Sequence, residues 1–277
     1  MTGPAANEPM AVVPIRLEKN LPIAEVRING AAVAMILDSA AAGFVLHGPR
    51  AAELGLAQSG SGLSSGSGGA QSVGLAGGVK ADLGGAAVAA DRVILFDMTA
   101  LKFARPVDGI LGMPLFGRYV VEIDYPGLKA RIYDPKSFHP RPNAEVIPMR
   151  MTVAPTVRGS VKLKEQGVVP LDVELDTGSA HVLTLATPFV DRYGLATQEG
   201  LTAGRTLGFG GSAPDLVGTL EEVRIGTRAM RNATVRFSRH TTGSFASEKT
   251  FSGNLGGEFL KTYRVTFDVP GSRLILE

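Results

Sequence analysis

The chain contains no cysteine, which excludes disulfides, thiolate metal sites and cysteine nucleophiles. Aromatic residues are scarce at 6%, whereas 35 Gly and 17 Pro are plentiful; this balance suits many short strands and turns better than a helical bundle. No apolar run reaches the length needed to span a membrane. The opening residues MTGPAANEPM also lack the charged region and apolar stretch of a signal peptide. The expectation is a soluble protein with no membrane span. Net charge is only +2 despite a pI near 8.9, so no large basic field is present and nucleic acid is not an expected partner. The histidines, His47, His139, His181 and His240, share no metal-ligand spacing, so no metal is expected. No Gly-x-Ser-x-Gly elbow follows a strand in the context a serine nucleophile needs. GFGGSA lacks the Lys-Ser/Thr of a phosphate loop.

What is present begins with 44% apolar residues in 277, enough for one large domain or two of ordinary size. Two stretches stand out: Val173-Glu174-Leu175-Asp176-Thr177-Gly178-Ser179 and its weaker echo Met35-Ile36-Leu37-Asp38-Ser39-Ala40. Each is an apolar run that delivers one Asp, then a hydroxyl residue, then a small one. Such a pattern holds a carboxylate at a turn beside a hydroxyl that can fix the local hydrogen bonding. The echo extends further. Gly55 lies 17 residues after Asp38 and Gly194 lies 18 after Asp176; Ile110-Leu111-Gly112 places its Gly 74 past the first Asp, and Asn254-Leu255-Gly256 places its Gly 80 past the second. From those glycines the copies run in one register, with Tyr119 and Tyr263 at plus 7, Asp124 and Asp268 at plus 12, and Pro126-Gly127 and Pro270-Gly271 at plus 14 and 15. An internal duplication accounts for this agreement.

Along the chain, residues 1–10 read as a flexible leader. Residues 11–17 and 23–28 read as strands, with Asn29-Gly30 as a hairpin signal, and 33–37 as the return strand that carries Asp38 at its end. Residues 44–46 read as a buried strand and 49–54 as a short helix ending at Gly55. Residues 59–69 are Gly and Ser apart from Leu63; they are open to two readings, a disordered linker or a mobile hairpin. Strands follow at 73–79, 87–96, 120–123 and 131–133, and Pro135, Pro140 and Pro142 mark a linker over 135–146. The second copy repeats the plan from 147 onward, with strands at 161–163, 168–175, 221–225 and 234–237 and a short helix at 188–193. Asp124 and Asp268 each precede a Pro-Gly turn and are expected to be structural, surface residues.

An apolar-apolar-Asp-(Thr/Ser)-Gly loop, a glycine-rich hairpin and a later apolar-apolar-Gly ahead of a final strand resemble one lobe of a pepsin-like or retropepsin-like aspartic protease. Segments such as DGILGMPLFGRYVVEIDY and LGGEFLKTYRVTFDVPGSRLILE are similar to the compact bacterial branch of that family, and the resemblance spans roughly residues 12–277. It implies an all-β fold: two pseudo-twofold-related, closed-barrel-like lobes of the acid protease type with a few short helices. The implied division is an N-terminal lobe over 11–134, a linker over 135–146 and a C-terminal lobe over 147–277. It further implies an aspartic endopeptidase in which Asp38 and Asp176 share one proton and activate water, with no cofactor. Ser39, Ala40, Thr177 and Gly178 would support the catalytic loops. Gly66, Ser67, Gly68, Gly208, Phe209 and Gly210 would form flaps over a peptide or protein substrate held in extended form. A monomer with both lobes in one chain is implied, and a periplasmic or secreted location. Three departures are visible: Asp-Ser-Ala replaces Asp-Thr-Gly in the first copy, Asn254 replaces an apolar residue, and neither flap carries the Tyr of pepsins. The other reading these leave open is a catalytically silent peptide-binding or inhibitor-like protein.

Overall fold

A computed structural model describes residues 8–247 and 249–277; the expected leader lies outside the described residues as far as residue 7. The chain is mostly β. Strands β1 (Ala11–Glu18), β2 (Leu21–Ile28) and β3 (Ala31–Leu37) form a meander. Its second turn places Asn29 and Gly30 at φ of 51° and 82°, the left-handed pair that a tight hairpin needs and that Asn-Gly adopts most readily. Then follow β4 (Phe44–His47), helix α1 (Gly48–Glu53), β5 (Gln58–Gly66), β6 (Gly69–Leu83) and β7 (Ala86–Phe96). The Gly-Ser tract is therefore paired strand over most of its length, antiparallel to β6, and the linker reading is overturned. After β8 (Gly109–Leu111), helix α2 (Met113–Phe116), β9 (Val120–Asp124) and β10 (Lys129–Tyr133), the chain crosses to β11 (Glu145–Met151).

The second half runs β12 (Pro155–Leu163), β13 (Gly167–Leu175), β14 (Leu183–Leu185), α3 (Thr187–Arg192), β15 (Thr202–Gly208), β16 (Gly211–Ile225) and β17 (Arg228–Ser238). It ends with α4 (Ser244–Ser247), β18 (Gly253–Leu255), α5 (Gly257–Leu260), β19 (Arg264–Asp268) and β20 (Arg273–Leu276). Among the described residues, every strand pairing of the first half has its counterpart ten strands later. For example, β3 lies parallel to β8 as β13 does to β18, and β4 lies parallel to β7 as β14 does to β17.

The halves join in one antiparallel sheet of order β1-β10-β9-β19-β20-β11. β9 and β19 are its centre, and β9 is buried along its whole length, as expected of a strand flanked and covered on both faces. Phe116 from α2 meets Phe267 from β19 edge to face at 5.4 Å, so the apolar interior continues across the join. Charged groups are held in the same sheet. Glu122, fully buried, accepts from Arg131 at 2.6 Å and Arg141 at 3.0 Å, which offsets the cost of its desolvation. Asp124 accepts from the Gly127 amide at 2.9 Å, and Asp268 from the Gly271 amide at 2.8 Å. Both hold the Pro-Gly turns, but they are buried rather than on the surface, because Arg131 and Arg273 neutralise them from the adjoining strand.

Gly112 and Gly256 sit where each short strand β8 or β18 enters its helix. Neither has a positive φ; what they need is space, since a methyl on Gly112 would strike the Ala41 carbonyl and one on Gly256 the His181 carbonyl. Gly112→Ala is therefore expected to lower stability by about 1–3 kcal/mol in urea unfolding. Gly48→Ala, at a helix start with no atom within 4 Å of the added carbon, is expected to change it by less than about 1 kcal/mol.

Candidate active site

β3 and β13 each stop one residue short of an aspartate, level with the end of the neighbouring parallel strand, and one further bond fixes that aspartate's backbone: the Asp38 amide donates to the Leu111 carbonyl at 3.0 Å and the Asp176 amide to Leu255 at 2.9 Å. The two turns are then tied across the halves. The Ser39 hydroxyl donates to the Leu175 carbonyl at 2.6 Å, and the Thr177 hydroxyl donates to the Leu37 carbonyl at 2.6 Å. In return the Ser39 amide donates to Thr177 Oγ1 at 2.9 Å and the Thr177 amide to Ser39 Oγ at 3.2 Å. Both side chains are completely buried. Neither Ala40 nor Gly178 has a positive φ, so the alanine of the first turn fits its backbone. Gly178 is needed for a different reason: the Asp38 carboxylate lies where a methyl on residue 178 would be.

Asp38 thus reaches over the opposite turn, and it lines one cavity together with Asp176. Their surroundings differ. Asp38 Oδ1 accepts from the Ala40 amide at 2.9 Å and the Ala41 amide at 3.0 Å. Asp176 accepts from the Gly178 amide at 2.9 Å and from Asn254 Nδ2 at 2.5 Å. Both are partly buried at the cavity wall, and burial pushes the Asp38 carboxyl above the ordinary value, against the pull of its two amides. Asp176 goes well above it, through burial first, then the Asp38 charge, then that of Glu174. Tyr125, buried to 1% exposure, is near enough to feel both acids. Burial, then Asp176 and Asp38, push its phenol up, and its hydroxyl has no hydrogen-bond partner among the described residues.

The cavity, about 550 Å³, is roofed by two hairpins. The β5–β6 tip carries Gly66, Ser67 and Gly68, and the β15–β16 tip carries Gly208, Phe209 and Gly210. The tips meet: the Gly68 amide donates to the Phe209 carbonyl at 3.0 Å, and side chains on Gly66, Gly68, Gly208 or Gly210 would collide with the opposing tip. Phe209 packs on Phe96 with ring centroids 4.7 Å apart and lines the cavity beside Gly66, Ser67 and Gly208. Behind the roof, His240 is fully enclosed, with Nδ1 2.8 Å from the Ser67 carbonyl and Nε2 3.0 Å from Asp215 Oδ1. Burial works to raise the Asp215 carboxyl, but hydrogen bonds from His240 and Thr206 and the Arg236 charge hold it below the ordinary value. The first hairpin is in this way pinned to the second half. His181, on the cavity wall, is lowered to about 4, by burial and then by Arg236, so it is neutral above that pH.

Sequence reasoning singled out both acids, both hydroxyls and both hairpin tips, and the fold brings all of them to one cavity or its immediate frame. It did not single out Tyr125, Glu174, His181 or His240 as site residues. Glu174 stood in view two residues before Asp176 on a strand of period two; the others gave no signal, since only tertiary packing brings them near.

A family model described as aspartyl protease matches residues 24–115, a span that holds Asp38 and Gly112 but ends before Asp176. The match supports a peptidase of the aspartyl type. None of the curated proteins compared matches the chain.

Thr177→Val should remove one buried donor and one acceptor while keeping the shape. The expected loss is about 2–4 kcal/mol, from two unmade buried bonds, read by urea unfolding. His240→Ala should free the first hairpin tip and raise amide hydrogen exchange at residues 66–69 relative to the β9–β19 centre.

Proposed function

We propose that this protein is an aspartic endopeptidase whose Asp38 and Asp176 carboxyls, sharing a single proton, activate a water against a peptide bond. The observation that carries the reading is the cross-tied pair of turns, which presents two acids to one cavity with both carboxyls pushed up. Two carboxylates in one low-dielectric site do not both ionise readily, so the pair keeps a proton to higher pH than ordinary aspartates and titrates as a unit. The Glu174 charge beside Asp176 favours the resting proton on that acid, and Asp38, which accepts two backbone amides, is the ionised partner. Asp38 then takes a proton from the water as it attacks the carbonyl carbon. Asp176 donates to the carbonyl oxygen to give a gem-diol; the proton gained by Asp38 then goes to the leaving nitrogen as the C–N bond breaks, while a hydroxyl of the collapsing diol returns a proton to Asp176.

The substrate is a peptide segment or protein loop in extended form, its backbone paired with the edges of the two hairpin tips. Entry requires the tips to part, and the run of glycines there allows the necessary dihedral changes. The chain is proposed to work as a monomer of duplicated lobes, 11–134 and 147–277 joined by 135–146, each contributing one acid.

Asp176→Asn tests the reading. Cleavage of an unbiased peptide pool should fall by about 10²–10⁴-fold. A wild-type rate that survives the change would overturn the proposal. Stability should move the other way. A carboxyl raised in the folded state contributes fully below its unfolded value of 3.8 and loses that contribution as pH rises through the folded value. At pH 7 the Asn variant should therefore melt higher than the wild type, and the gain should vanish below pH 3.8. Wild-type kcat/KM should be bell-shaped, with its alkaline limb above the ordinary aspartate range.

A further inference from the structure

The two halves share their strand pairings but not the chemistry of the surface they turn toward the cleft. In the first half, Ile36 on β3 is level with Ile110 on β8, Ile110 with Val45 on β4, and Val45 with Ile94 on β7. In the second, Glu174 on β13 is level with Asn254 on β18, Asn254 with Thr184 on β14, and Thr184 with Arg236 on β17. Paired positions on neighbouring strands point to one face, and all eight residues line the cavity. The duplicated frame thus offers two equivalent rows either side of the acids, one wholly aliphatic and one wholly polar.

The polar row is ordered. Its end near Asp176 is made of acceptors: the Glu174 carboxylate, and Asn254 Oδ1, which is buried with its residue only 7% exposed and has no hydrogen-bond partner among the described residues. Asn254 keeps this orientation because its amide nitrogen is committed to Asp176. The far end supplies donors, the Thr184 hydroxyl and the Arg236 guanidinium, the latter steadied by Asp215 at 3.3 Å. Four strands at about 4.8 Å spacing set the row at about 14 Å from end to end, longer than any one side chain, so an occupant samples both kinds of group only near the middle. An aliphatic occupant would shield the Asn254 acceptor without satisfying it. A lysine would face Arg236, and a glutamate would face Glu174. A carboxamide has both an N–H donor for the acceptor end and a carbonyl acceptor for the donor end.

We infer that the polar row is the subsite for one of the two residues flanking the cleaved bond and that it selects asparagine or glutamine, while the aliphatic row takes an apolar residue on the other side. The inference rests on the proteolytic reading above for its substrate, and on the paired rows for its selectivity.

The test uses the full chain and peptides identical except at the two central residues, Leu-Leu, Leu-Gln, Gln-Leu, Gln-Gln, Leu-Lys and Lys-Leu. Each is made with a normal amide for cleavage and with a non-cleavable reduced amide for calorimetric binding. One of the two Leu/Gln orders, and not the other, should bind and be cleaved about tenfold or more better than Leu-Leu, the scale at which a site built to hydrogen-bond begins to reject a group that cannot. Leu-Leu or a lysine peptide binding as well, or both mixed orders binding equally, overturns the inference. Glu174→Ile with Thr184→Val and Asn254→Ile writes three of the four residues of the first half's row into the second, leaving Arg236, and should make Leu-Leu the preferred pair. If that variant does not fold, Thr184→Val alone should still narrow the ratio. Order-dependent binding without cleavage of any amide sinks the proteolytic reading and leaves the subsite standing. Cleavage without preference does the reverse, and absence of both sinks both.

Discussion

Two buried hydroxyls, each donating to a backbone carbonyl of the other half, are the constraint on which this molecule depends. Ser39 and Thr177 are completely enclosed, and each also accepts an amide from the opposite turn. Four buried bonds of 2.6–3.2 Å make any displacement of one turn costly unless the other follows. The position of Asp38 is therefore set as much by residues 175–178 as by its own strand, and the reverse holds for Asp176. The antiparallel β9–β19 pair and the Phe116–Phe267 contact hold the same join from below.

Within this near-symmetric frame the chemistry is unequal. Asp38 is steadied by two amides of its own turn, whereas Asp176 answers to one amide, Asn254 and a neighbouring carboxylate. The same strand positions that carry Ile36 and Ile110 on one side carry Glu174 and Asn254 on the other. A repeated strand frame with differing rows gives direction to a cavity that symmetry alone would leave without one. That direction is what the proposed mechanism, with its proton on one acid and its substrate in one orientation, requires.

The roof follows a different logic. Glycine weakens strands, yet here it lets two hairpin tips approach until one donates an amide to the other. The contact is backbone to backbone and partly exposed, so it is the natural place for opening. His240 adds an anchor on one side only, tying the first tip to Asp215 of the second half.

Most strands, both acid-bearing turns and the repeat in register were legible in the residues, because period-two apolar runs, Asn-Gly and Pro-Gly turns and a doubled Asp motif are local signals. The Gly-Ser tract was readable only by its place between landmarks, since its composition suits a linker equally well. The shared six-stranded sheet was not legible: pairing β9 with β19 joins residues more than a hundred apart, and local preference carries no term for that. For the same reason the burial of Asp124 and Asp268, the nearness of Tyr125 to both acids and the two facing rows came from packing alone. Sequence by itself determined which residues could end a strand in an acid and turn. Only the tertiary structure decided which of them share a cavity, because a carboxyl is pushed up by the groups that surround it in space, and those come from both ends of the chain.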